Sequence, residues 1–118
     1  MKNRVEVTPF FERRYKRLSK KFTDLADSLR VLENQLIENP RTGIDLGENI
    51  YKIRLGSKSK GRGKSGGFRV FTYLVEEAKE GLIIKLITIF DKSEESTITK
   101  KDIKAIIKKI FGDEDTRV

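Results

Sequence analysis

The period of the apolar positions changes several times along this chain, and each change marks an element. In "RVEVT", Val5 and Val7 alternate with charged residues and predict a short first strand. Thr8-Pro9 then offers a cap and a proline for the first helical position, with Glu12 in the first turn. Phe11, Tyr15, Leu18 and Phe22 recur at helical spacing and form the buried stripe of a first helix. After a break from Lys21 to Asp24, Leu25, Leu29, Leu32 and Leu36 set the stripe of a second helix, which Asn39-Pro40 stops. "PRTGIDLGEN" has the glycines and proline of a loop. "IYKIRL" alternates again, with Tyr51, Ile53 and Leu55 on one face and Lys52 and Arg54 on the other. "FRVFTYLVE" and "LIIKLITIFDK", joined through "EAKEG", are apolar on both faces and predict central strands. Thr99 to Asp102 has the pattern of a capping box, and Ile103, Ile106, Ile107 and Ile110 give a C-terminal helix its stripe before the acidic end "GDEDTRV".

The expected order is therefore β-α-α-β-β-β-α, without an internal repeat or a low-complexity linker. That order implies an α+β fold in which a largely antiparallel sheet packs against helices. With 118 residues, the chain is expected to form a single domain, residues 1–118, around one modest core. No apolar run is long enough to span a bilayer, and "MKNRVEVTPFFERR" lacks the apolar centre of a signal peptide, so a cytoplasmic protein with no membrane partner is expected. The composition narrows the chemistry. With no cysteine there are no disulfides, zinc-thiolate sites or thiol nucleophiles, and with no histidine there is no imidazole ligand or imidazole acid–base pair. Proton transfer is left to lysine, tyrosine, carboxylate or water; neither a metal nor a cofactor is expected.

The formal net charge is +8, which favours a polyanionic partner: nucleic acid first, an acidic protein second. The charge is segregated. From Asn49 to Val75 there is no acidic residue, while Lys52, Arg54, Lys58, Lys60, Arg62, Lys64 and Arg69 all lie there. Cations gathered without carboxylates repel one another unless an anion binds, and an antiparallel neighbour would bring Arg69 beside Lys52 and Arg54. The "GRGKSGGF" stretch within this segment is not a nucleotide phosphate loop. Position 58 is Lys58 where that loop needs glycine, and a strand follows where the loop needs a helix. A second basic patch, Arg13, Arg14, Lys16, Arg17, Lys20 and Lys21, is equally a solvated helix face or a binding surface. Lys100, Lys101, Lys104, Lys108 and Lys109 are assigned to a solvated face that suits the helix dipole. Lys85 is expected to lay its stem on the sheet with its head in water.

The order of elements, with "YKIRL", "GRGKSGGFRVFTYLV" and "LITIFDKSEESTITKKDIKAIIKKI", resembles the RelE/ParE superfamily of bacterial toxins, most of all its HigB-like RelE branch. The resemblance covers nearly the whole chain; Lys64-Ser-Gly-Gly-Phe-Arg69-Val and Phe90-Asp91-Lys92 are its most specific parts. It implies a metal-independent, ribosome-dependent endoribonuclease (an mRNA interferase) that cuts mRNA in the A site by attack of a ribose 2′-hydroxyl on the adjacent phosphate. It also implies contact with ribosomal RNA, translation inhibition, and a cognate DNA-binding antitoxin encoded by the adjacent gene. The resemblance assigns Arg69 to the scissile phosphate, Lys52 and Arg54 to the second predicted strand of the site, and Lys92 to the end of the last. Lys52 and Lys92 are the lysine candidates for moving a proton. Lys58, Lys60, Arg62, Lys64 and Ser65 are assigned to RNA binding. Some relatives carry tyrosine or histidine near the C-terminal end of the site, but "KSEESTI" has neither, and the general base is left open. Tyr51 and Tyr73 qualify only where their strands turn them to the basic face; Tyr51 is assigned to the core, and Glu94 and Glu95 are assigned to solvating the turn after the last strand. Two other functions share the fold: a ParE-like gyrase inhibitor and a non-catalytic nucleic-acid-binding protein.

Overall fold

The first turn of the first helix shows how local chemistry builds this fold. The computed structural model describes residues 3–56, 67–77, 81–94 and 98–111. Its elements are β1 (Arg4–Val7), α1 (Pro9–Lys21), α2 (Leu25–Glu38), β2 (Ile44–Gly47), β3 (Ile50–Leu55), β4 (Phe68–Glu77), β5 (Gly81–Asp91), a 3₁₀ turn (Lys92–Glu94) and α3 (Lys100–Phe111). Thr8 caps α1 by accepting the Phe11 N–H at 3.2 Å, and Pro9 fills the first helical position. The same hydroxyl donates to the Leu86 carbonyl at 2.8 Å, so one buried side chain starts the helix and ties it to β5. The capping box of α3 forms as expected: Asp102 N–H meets Thr99 Oγ1 at 3.2 Å and Thr99 N–H meets Asp102 Oδ2 at 2.9 Å.

The five strands form one sheet in the order β1-β5-β4-β3-β2. β1 runs parallel to β5, and the remaining pairs are antiparallel. Leu25, Leu29, Leu32 and Leu36 of α2 join Phe11 and Leu18 of α1 against Tyr51, Ile53, Leu55, Val70, Leu86 and Ile89. On the opposite face, Ile103 and Ile107 of α3 pack on Ile50, Phe71, Ile87 and Phe90. Coverage on both sides explains why β4 and β5 carry apolar residues on both faces. The result is one α+β domain with a mostly antiparallel sheet. Among the described residues no helix is long and apolar enough to cross a membrane.

Three expectations are corrected. The segment expected to be a loop contains β2, so the sequence order gains a strand. Its connection to β3 is a two-residue turn at Glu48 and Asn49, with φ of 56° and 67°. Both central residues at positive φ match the twist of a tight hairpin. Second, a β-bulge interrupts the β4–β5 ladder: Phe71 pairs with Thr88 but Thr72 with Leu86, leaving Ile87 as the extra residue. The bulge turns Ile87 into the α3-side core. Third, Lys85 does not lie with its head in open water. The parallel register of β1 places Glu6 beside it, and its ammonium pairs with Glu6 Oε1.

Candidate functional site

β3 and β4 pair so that Lys52 stands opposite Phe71, and Arg54 opposite Arg69. β2 sets Ile44 opposite Lys52 on the other side. Paired residues share a face, so strand alternation brings these side chains to the face that α3 covers only in part. Their outcome is an open depression of about 230 Å³ lined by Ile44, Lys52, Arg54, Arg69 and Lys92. All four residues expected to do chemistry line it. The expected RNA-binding residues Lys58, Lys60, Arg62, Lys64 and Ser65 lie outside the described residues.

The depression is held from below. Arg69 is only 5% exposed, and its guanidinium donates to the Phe68 carbonyl at 3.2 Å, which holds the head of the side chain back against its own strand. Lys52 Nζ lies 5.9 Å from the centre of the Phe71 ring. Phe71 meets Phe90 edge to face, with centroids 6.4 Å apart. The far side of Phe90 carries a third cation: Arg14 of α1 sits 4.2 Å above the ring and donates from Nε to the Ile89 carbonyl at 3.0 Å. Burial pushes the Arg14 guanidinium below its ordinary value, Arg17 pushes the same way, and the charge of Glu94 opposes them.

Among the described residues, no acidic side chain lines the depression. Like charges directly opposite across a strand pair are unfavourable, and Arg54 and Arg69 are such a pair. A bound anion relieves that repulsion, and two guanidiniums present fixed N–H donors to the oxygens of a phosphate. The arrangement can therefore hold a phosphate and stabilise extra negative charge on its oxygens.

Neither tyrosine reaches this place. Tyr51 is 5% exposed in the core on the α1–α2 side, and Tyr73 packs its ring on Phe111 at 5.9 Å. Glu94 is exposed on the 3₁₀ turn and does not line the depression; Glu95 lies outside the described residues. Two contributors escaped the sequence reading. Ile44, 57% exposed at the rim, was hidden inside an expected loop. Arg14 was one of six basic residues on α1, and nothing in its spacing distinguishes the one that stacks on Phe90.

The anchoring of α3 completes the surroundings. Glu48, at the β2–β3 turn, pairs with Lys100 and Lys104 at 3.0 Å each. Hydrogen bonds from Lys100 and then Lys104 hold its carboxyl below the ordinary range. Those two lysines, expected only to be solvated, fasten the helix to the hairpin that carries Ile44 and Lys52. No family model matches the chain.

Proposed function

We propose that this chain is the toxin of a toxin–antitoxin pair of the RelE/ParE kind, HigB-like, acting in the cytoplasm as a ribosome-dependent endoribonuclease. The observation that supports it is the depression in which Arg69, Arg54, Lys52 and Lys92 come together, with no acidic side chain lining it among the described residues. In this reading the 2′-oxygen of a ribose attacks the adjacent phosphorus, the bond to the 5′-oxygen breaks, and a cyclic phosphate and a free 5′-hydroxyl result. Arg69 and Arg54 face the non-bridging oxygens, where charge grows toward the transition state. One proton leaves the 2′-oxygen and one reaches the departing 5′-oxygen; Lys52 on β3 and Lys92 just after β5, on the two sides of the β4 strand that carries Arg69, are the groups at hand for these transfers. A cognate antitoxin would cover this basic surface with acidic residues.

The test is to add the protein and its Arg69→Ala variant to programmed ribosomes and map mRNA ends by primer extension. Cuts within the A-site codon from the parent alone support the reading. A second reading, binding without cleavage, is favoured by the placement of Tyr51 and Tyr73 away from the depression, which leaves no phenol there as a base. It predicts RNA binding with no cuts. Supercoiling inhibited by a protein that cuts nothing would instead indicate gyrase inhibition.

A further inference from the structure

The basic surface does not end at the depression. On α1, Phe10, Arg13, Arg14 and Arg17 surround a second hollow of about 200 Å³. Arg13 places its guanidinium 5.9 Å from the Phe10 ring. Arg14 is held by the Ile89 carbonyl and the Phe90 ring, so its position is set by β5 and not by α1 alone. Arg13 and Arg17 are exposed, and among the described residues no carboxylate forms an ion pair with either. The two hollows share their support. Contacts of 5.9, 6.4 and 4.2 Å lead from Lys52 to Phe71, to Phe90 and to Arg14, passing around the end of β5 beside the Lys92–Glu94 turn.

Resting on the functional reading above, we infer that Phe10, Arg13, Arg14 and Arg17 form a second RNA contact, receiving the single strand after it leaves the first depression. Guanidiniums beside an exposed part of an aromatic ring suit this ligand: the arginines take phosphates and the ring offers a face to a base of any sequence. An acidic peptide would find the same charge. RNA is favoured because the second hollow is joined, through the aromatic pair, to a space already suited to phosphate. The single strand would thereby be held at two points, with the scissile phosphate in the first depression beside Arg69 and the strand beyond it on α1.

The experiment measures binding of 2′-O-methyl RNA, which cannot attack itself, by fluorescence anisotropy across a salt series. A dinucleotide probes the first depression alone, and an oligomer of about ten nucleotides reaches both. The variants are Arg13→Gln combined with Arg17→Gln, and Arg69→Ala, each checked for an unchanged thermal transition. The double variant is expected to bind the oligomer about tenfold more weakly and to lower the log–log salt slope by about 1.4, two phosphates' worth for a single strand. Its dinucleotide affinity should match the parent's. Equal oligomer affinity and slope in parent and double variant would overturn the second contact while leaving the first intact, provided Arg69→Ala still weakens both ligands. A parent that binds neither RNA would remove the functional reading along with it. Polyglutamate displacing the oligomer from the parent but not from the double variant would make the surface a protein-binding one and overturn the inference.

Discussion

Arg54 and Arg69 are register partners across β3 and β4, two permanent charges held side by side, with no carboxylate among the described residues that line the space they share. Cross-strand like charges cost about 0.2–1 kcal/mol. Arg54→Gln should therefore raise the urea midpoint by that order while weakening RNA binding. A variant that loses both stability and binding would show that Arg54 supports the sheet instead of opposing it.

Gly43 precedes β2 at φ of +103°, a conformation that side chains rarely adopt. A Cβ there would lie 2.5 Å from the Lys52 carbonyl oxygen and 2.7 Å from Ile53 Cγ1. Gly43→Ala is expected to cost about 2 kcal/mol by denaturant unfolding. Because the collision falls on the backbone of Lys52, RNA affinity should drop as well.

Thr72 and Thr88 bury their hydroxyls completely, and among the described residues neither Oγ1 has a hydrogen-bond partner. Such a group carries its desolvation without compensation, on the order of 1 kcal/mol or more. Thr72→Val keeps the branched shape and removes the hydroxyl, so it should stabilise the protein by about 1 kcal/mol in urea titrations. An unchanged or lowered midpoint would mean that the hydroxyl is satisfied in solution.

The Glu6–Lys85 pair joins β1 to β5, and its hydrogen bond to Lys85 is the first cause holding the Glu6 carboxyl below its ordinary value of 4.5. A carboxyl depressed on folding contributes stability above its unfolded pKa and loses it as pH falls through the folded one. The difference in urea midpoint between the parent and Glu6→Gln should thus be present near pH 7 and be lost as the pH falls below 4.5 through the lowered pKa of the folded state. Glu6 is partly exposed, so the difference should also shrink as salt is added.

Most of the elements were legible because they rest on near-neighbour chemistry. The caps at Thr8 and Thr99 need only residues three positions apart, and the leucines of α2 announce one buried face. The alternation of "YKIRL" likewise separated Tyr51 from Lys52, and the β3–β4 register then placed Arg69 beside Arg54. β2 was not legible. It is four residues long, and its turn uses Glu48-Asn49 where glycine would be the usual signal. Glu48 at positive φ holds Lys100 and Lys104, a tertiary reason that no local window contains. Lys85 was misjudged on the same ground, since its partner Glu6 lies 79 residues away. The bulge at Ile87 and the Arg14–Phe90 stack are also products of strand pairing and helix placement, and a single strand's pattern does not encode them.

The parallel contact of β1 with β5 sets the order in which the fold can close. α1 and α2 rest on residues of β3, β4 and β5 together, so the apolar stripes of these two early helices stay only partly covered until β5, which comes later in the chain, has appeared. Distant pairing of this sort slows folding and leaves helices searching for cover. The same late step that closes the core fastens Arg14 to Phe90 and brings Lys92 to the end of β5. The arginines and lysines that line the depression therefore come together only as the sheet closes, so the surface they form is a product of β5's arrival and not of any one segment.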